Sequence, residues 1–305
     1  MSERVAAVDC GTNSIRLLIA DLAHGELVEV DRRMTIVRLG QGVDATGAFA
    51  PEALERVFAA SDEFAAAIRA AGATRTRFVA TSAARDVSNR DEFFAGIAER
   101  FGVEPDIISG SEEAELTFRG ATSGLAALHV PGPYLVADIG GGSSELVLGD
   151  LGGVIAAESL DIGSVRLTER HVSSDPTTPD ELAAMRKDID ALLDATTVPL
   201  ARSRALVGVA GTVTTVAAVA LKLPEYDRSQ IHHAHIPGPV LRDTTTWLTD
   251  SSRAERSAVR SIHPGRVDVI GAGALILQRL YDRMAVDEVL VSEHDILDGV
   301  ALSLG

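Results

Sequence analysis

The 305-residue chain predicts an α/β protein of two similar domains, each carrying a mixed sheet, with the two sheets facing an interdomain cleft. Three observations lead there. The stretches "VDCGTNSIRLLIAD" (8–21) and "ADIGGGSSELVLGD" (137–150) match at a constant offset of 129 residues: Asp9 with Asp138, Gly11 with Gly140, Ser14 with Ser143, Leu17 with Leu146 and Asp21 with Asp150. Each stretch opens a run of strand-like segments that gives way to alternating helix and strand patterns. The length also suits about two domains, each large enough to bury a core.

Taken in order, the first hairpin leads into "GELVEVDRR" (25–33) and "MTIVRLG" (34–40), which alternate apolar and polar residues as two strands do. "APEALERVFAASDEFAAAIRAAG" (50–72) is a helix, with Pro51 suited to its first turn and Gly72 to its end. "TRFVATS" (76–82) reads as a buried strand, and "SNRDEFFAGIAERFG" (88–102) as a helix capped by Ser88 or Asn89 and closed by Gly102. "EPDIISG" (104–110) is a strand and "SEEAELTFRGATSGLAAL" (111–128) a helix. The second half repeats the plan: strands in 133–139, 143–150 and 152–163, a helix in 178–198, a strand in 204–211 and a helix from 212. A helix in 266–284, a strand in 287–293 and a helix in 295–305 complete it. The stretches 223–239 and 244–265 read as loops and short helices. Tight turns make consecutive strands antiparallel, and strand–helix–strand units make the remainder parallel. The boundary is expected in "AALHVPGP" (126–133), giving domains 1–125 and 126–293, with the closing helix 294–305 a candidate addition to the first.

Composition narrows the function classes. The net charge of −16, from 44 acidic and 28 basic residues, argues against a nucleic-acid partner bound through a broad basic face. A phosphate substrate remains compatible, since a site can be locally cationic or carry bound metal. No run of about 18 apolar residues is present, so no membrane association is expected. The single Cys10 forms no internal disulfide, and the start "MSERVAAVD" leaves no room for a signal peptide; a cytoplasmic location is the expectation.

The chemistry lies in the hairpins. Backbone amides of a glycine loop can converge on phosphate oxygens, and a Cβ would obstruct that approach, which accounts for Gly11 and for Gly140, Gly141 and Gly142 together. Thr12, Asn13, Ser14, Ser143 and Ser144 add side-chain donors. Asp9 and Asp138, each ending a strand before its loop, are placed to hold Mg²⁺ or another divalent cation directly or through water. The plainer alternative, that each Asp organises only its own turn, is weakened by the duplication. The histidines His232, His233 and His235 match no zinc spacing, lack a cysteine partner and read as part of a polar loop.

The paired hairpins resemble the two phosphate-binding loops of the actin-like, ribonuclease-H-like ATPase superfamily. "CGTNSIRL" (10–17), "ATSAARD" (80–86), "ISGSEEAEL" (108–116), "DIGGGSSEL" (138–146), "SLDIGSVRLTE" (159–169), "GVAGTVTTVAA" (208–218) and "PGRVDVIGAGALIL" (264–277) together resemble the exopolyphosphatase / guanosine pentaphosphate phosphohydrolase family, over almost the whole chain. The resemblance implies two ribonuclease-H-like domains and metal-dependent release of terminal phosphate from inorganic polyphosphate. The 5′-phosphate of guanosine pentaphosphate is the alternative substrate. It places the water-activating carboxylate at Glu113, a choice the residues alone leave open between Glu112 and Glu113. It sets Asp138 and Glu145 near metal and phosphate. Arg16 and Arg85 become candidates for gripping a phosphate chain, with Arg166 and Arg266 weaker ones. His294 departs from the family's usual residues in that segment, which puts a substrate contact there in doubt. Longer relatives carry an additional C-terminal helical module; its absence leads us to expect a preference for short chains. Family members often pair, so a homodimer is compatible, although nothing in the sequence marks an interface. More distant alternatives are an ATP-dependent kinase and a non-catalytic polyphosphate or nucleotide sensor.

Overall fold

The structure, a computed structural model, describes residues 2–23, 26–80, 87–125, 129–150 and 152–305, with backbone alone at 26 and 44. The chain divides into two compact units, Met1–Gly120 with Ile296–Gly305, and Ala121–Asp295.

Unit 1 begins with three antiparallel strands, β1 (Glu3–Cys10), β2 (Ser14–Ala23) and β3 (Glu26–Ile36). A short helix α1 (Val43–Thr46) and the long α2 (Pro51–Ala71) lead to β4 (Arg75–Ala80), then α3 (Arg90–Phe101), β5 (Asp106–Ile107) and α4 (Gly110–Thr122). The sheet order is β3-β2-β1-β4-β5, with β1, β4 and β5 parallel to one another. Side chains alternate along β1 and so decide what each sheet face covers. Ala6, Val8 and Cys10 join Phe64 of α2 and Phe93 of α3 in one core. Val5 and Ala7 point the other way, against Leu116 of α4 and against Leu297 and Val300 of the closing helix, Ile296–Leu302 (α12). Asp9 continues the alternation of Val5 and Ala7, so it belongs to the α4 and α12 face.

Two local expectations are corrected here. Where two strands are expected in 25–33 and 34–40, the described residues form a single strand, β3 (Glu26–Ile36), with a register shift opposite Ile19 and Ala20 of β2. Asn89 stands at the N-cap position of α3, but neither its side chain nor that of Ser88 makes the expected cap bond. The Asn89 amide accepts from the Phe49 N–H at 2.9 Å and donates to the Phe49 carbonyl at 3.0 Å, and Ser88 Oγ donates to the Gly47 carbonyl. Elsewhere the terminators act as expected: Pro51 lies in the first turn of α2, and Gly72 ends it at φ 69°.

Unit 2 repeats the plan. Strands β6 (Tyr134–Ile139), β7 (Ser144–Asp150) and β8 (Gly153–Leu160) are antiparallel, followed by α5 (Ser164–His171), α6 (Pro179–Ala195), β9 (Ala205–Val209) and α7 (Ala210–Ala220). Next come α8 (Arg228–Ile231), β10 (His235–Pro237), α9 (Gly238–Asp250), α10 (Arg253–Ser257), α11 (Ile270–Tyr281) and β11 (Glu288–Val291). The order β10-β11-β9-β6-β7-β8 matches that of unit 1 when read outward from the first strand, with β10 added at the edge. This is the mixed-sheet, twice-repeated α/β architecture that the sequence predicts. α1 and α5 have no counterpart among the expected elements, whereas β10 and the thirteen-residue α9 form where the sequence reads as loops and short helices, α9 overlapping both of those stretches. Pro239 sits in the first turn of α9, where its missing N–H costs nothing.

Candidate functional site

Each unit presents a hairpin built the same way. The Gly11 N–H donates to the Ser14 carbonyl at 3.0 Å, and the Gly140 N–H donates to the Ser143 carbonyl at 3.0 Å. In both, the chain leaving the third strand turns back to brace the loop. In unit 1 the Val37 and Arg38 N–H groups donate to the Asn13 carbonyl (3.0 and 2.9 Å), and the Gly40 N–H donates to the Thr12 carbonyl at 2.8 Å. In unit 2 the Ser164 N–H donates to the Gly140 carbonyl at 2.9 Å, and the Val165 and Arg166 N–H groups donate to that of Gly141 (2.9 and 3.1 Å). A trans peptide sends its C=O and N–H in opposite directions. Tying back those carbonyls therefore turns the amides of Asn13 and Ser14, and of Gly141 and Gly142, away from the brace. That is the arrangement an anion-binding concavity needs. None of Gly140, Gly141 and Gly142 has a left-handed backbone, so turn conformation is not what demands glycine there.

The hairpins differ in charge at one repeat-related position. In unit 1 the register sets Asp9 opposite Arg16, whose Nε and Nη2 donate to Asp9 Oδ2 at 3.0 and 2.6 Å. In unit 2 the equivalent register sets Asp138 opposite Glu145. All three carboxylate residues are buried. Ser159, opposite Glu145 on β8, donates from Oγ to Glu145 Oε1 at 2.8 Å. Two buried carboxylates on neighbouring strands form an all-oxygen donor set that suits a hard divalent cation. Among the described residues no group of three or more His, Cys, Asp or Glu is arranged to hold a metal by protein ligands alone.

Two predicted donors are engaged within the fold. Arg16 is spent in part on Asp9, and its side chain is 17% exposed, so it is no outward solubilising residue. The single hydroxyl hydrogen of Ser144 goes to the Ile162 carbonyl at 2.8 Å, which makes Ser144 part of the brace. The thiol of Cys10 is pushed well up, first by burial and then by the Asp9 charge, and so stays protonated. Arg85, with the rest of 81–86, lies outside the described residues. Arg166 approaches Asp161 only to 4.0 Å, and the Arg266 guanidinium lies against Gly211.

Glu112 and Glu113 separate by environment. Both lie in the first turn of α4. Glu112 pairs with Arg77 on β4 at 2.7 Å and is half-exposed, with its N–H donating to Ser109 Oγ. Glu113 is buried, its N–H donating to the Ser109 carbonyl at 2.9 Å. Of the histidines read as part of a polar loop, His232 and His233 lie in the turn after α8, and only His235 departs from that reading. His235 opens β10 and its Nδ1 lies 2.6 Å from Glu288. The His232 ring stacks on His233 at 3.6 Å and lies 4.6 Å from that of His294. Stacked rings do not aim their nitrogens at one point, as a tetrahedral zinc requires. Burial first, and then the neighbouring His294 and His235, hold the His233 pKa below the ordinary value.

A twofold mixed-sheet chain with a glycine loop and a buried acid in each unit is the design of a phosphoryl-handling protein. Residues 18–304 match the Ppx/GppA phosphatase family, and the chain belongs to it. Exopolyphosphatase 2 of Mycobacterium tuberculosis is 50% identical over 316 residues, covering 99% of this chain and 98% of its own. A crystal structure described as an exopolyphosphatase-like protein superposes with a TM-score of 0.96 at 43% identity, covering 100% of this chain and 98% of that one. The Aquifex aeolicus member of the Ppx/GppA family superposes at 0.83 with 28% identity, covering 100% and 98%.

Proposed function

We propose that the protein is an exopolyphosphatase, releasing terminal phosphate from inorganic polyphosphate by hydrolysis of a phosphoanhydride. The observation that carries this reading is the pair of braced hairpins with outward amides, in a chain 50% identical to an exopolyphosphatase over nearly its full length. Gly11, Thr12, Asn13 and Ser14, with Gly140, Gly141, Gly142 and Ser143, bind phosphoryl oxygens. Ser144 supports that loop from behind. Glu113 orients and deprotonates the attacking water. Its burial in the first turn of α4, beside a Glu112 already paired to Arg77, supports that choice.

Mg²⁺ is the cation we assign; Asp138 and Glu145 would hold it in unit 2, and Asp9 is the repeat-related carboxylate of unit 1. When bound, it screens the charge of the terminal phosphoryl group. Arg16 divides its guanidinium between Asp9 and a phosphate oxygen, a use its fork geometry allows. Catalysis of this kind is mostly positioning and electrostatic stabilisation. Short chains are the preferred substrates in this reading, and the protein acts in the cytoplasm.

Phosphate release by the purified protein with Mg²⁺ tests the proposal, with short polyphosphate, long polyphosphate, guanosine pentaphosphate and ATP compared, each beside Glu113→Gln. Release from polyphosphate that the variant loses is the expected result. Release from the guanosine substrate alone would replace polyphosphate as substrate, and a preference for chains of hundreds of phosphates would refute the short-chain assignment.

A further inference from the structure

The segments that brace the two loops share a feature their sequences do not advertise. Each holds one glycine with no room for a Cβ. A Cβ on Gly40 would come closer than 3.0 Å to the Thr12 side chain, and one on Gly163 closer than 3.0 Å to the backbone of Gly141 and Gly142. Neither glycine has a positive φ, so close approach is what requires them. They stand 123 residues apart, whereas the hairpins repeat at 129, so no alignment of the hairpins pairs them; their place in the fold does. Each follows a fully buried aliphatic residue, Leu39 and Ile162, that anchors the brace in its core.

We propose that Gly40 and Gly163 are positioning residues for phosphate binding. The missing Cβ lets each brace reach the carbonyls of its loop, and that reach fixes where the loop amides meet a phosphoryl oxygen. The proposal rests on reading the hairpins as phosphate loops. The two positions differ in what they touch. At Gly163 the obstacle is backbone, which moves only if the loop moves. At Gly40 it is chiefly the Thr12 methyl group, which a Thr12→Ser substitution removes while keeping the hydroxyl.

That difference supplies the test. Phosphate release is measured against polyphosphate concentration for Gly163→Ala, Gly40→Ala and Gly40→Ala with Thr12→Ser, beside the melting temperature of each. Gly163→Ala is expected to lower kcat/KM by ~10²-fold, the cost of shifting a binding group by about 1 Å, with KM raised. Gly40→Ala is expected to lose less, and Thr12→Ser to restore most of that loss. A purely structural role would lower the melting temperature and leave KM and kcat of the folded protein unchanged; that result overturns the proposal. So does failure of Thr12→Ser to improve Gly40→Ala, a comparison that stands even where Gly163→Ala does not fold. Absence of phosphate release from the unaltered protein would instead overturn the functional reading itself.

Discussion

Replacing Arg16 by methionine should destabilise the first hairpin by removing the ion-pair partner of Asp9. Arg16 and Asp9 are 17% and 5% exposed at their side chains, and two guanidinium nitrogens converge on one Asp9 oxygen. Removing one partner of a buried ion pair costs ~3–5 kcal/mol, because the remaining charge stays buried. The residual access of water at Arg16 places the expected loss at the low end, about 3 kcal/mol. The double variant Arg16→Met with Asp9→Asn buries no charge at that point, so its loss should be smaller than the sum of the singles by about 2 kcal/mol or more. Urea unfolding measures both. With m of ~1–3 kcal/mol per molar, the Arg16→Met midpoint should fall by roughly 1–3 M. Far-UV circular dichroism follows the whole chain, while fluorescence of the single tryptophan, Trp247 on α9, follows unit 2. Single losses that simply add in the double variant would refute the coupling.

Further outcomes follow from the same geometry. Glu113→Gln should lower turnover ~10²–10⁴-fold with the fold intact, whereas Glu112→Gln, which loses only a half-exposed pair with Arg77, should keep activity and cost at most ~1 kcal/mol; kinetics beside melting curves separate the two. Glu145→Gln should raise the Mg²⁺ concentration needed for half-maximal activity, and Ser159→Ala, which removes the hydroxyl that orients Glu145, should raise it by ~10-fold. The Glu181 carboxylate, held down to about 2 by the Thr178 N–H and then by the Ser173 N–H and hydroxyl, stabilises α6 where it is charged. A depressed acid contributes fully above its unfolded value and loses that contribution as pH falls through the folded one. The gap in unfolding midpoint between the unaltered protein and Glu181→Gln should therefore be constant above about pH 5 and close toward pH 2.

The hairpins were legible because everything that makes them is local: a strand ending in Asp, glycines, then a strand of matching alternation. α2 was legible for the same reason, with Pro51 at one end and Gly72 at the other, and Pro179 marked the start of α6. What escaped depends on partners distant in sequence. Asn89 looks like a cap, yet its amide is taken by Phe49, forty residues away. α9 carries a run of threonines with weak helix propensity, and packing of Leu241, Thr245 and Leu248 into the core overrides it. The braces leave little trace beyond one glycine each, because most of their bonds run from backbone to backbone. Glu112 and Glu113 are identical residues side by side; the burial of Glu113 and the pairing of Glu112 with Arg77, on β4, tell them apart.

The return of α12 to unit 1 has a consequence for how the chain is made. The core on the Asp9 side of that sheet joins Val5, Ala7, Leu18 and Ala20 to Ile296, Leu297, Val300, Ala301, Leu302 and Leu304. Between those two groups a ribosome must translate all of unit 2, residues 121–295. At ~5–20 residues per second the delay is on the order of ten seconds or more. The second unit can thus close its own core while the first, begun earlier, still waits for residues 296–304. The face of the nascent sheet that carries Asp9 and Arg16 is completed only after unit 2 has been made.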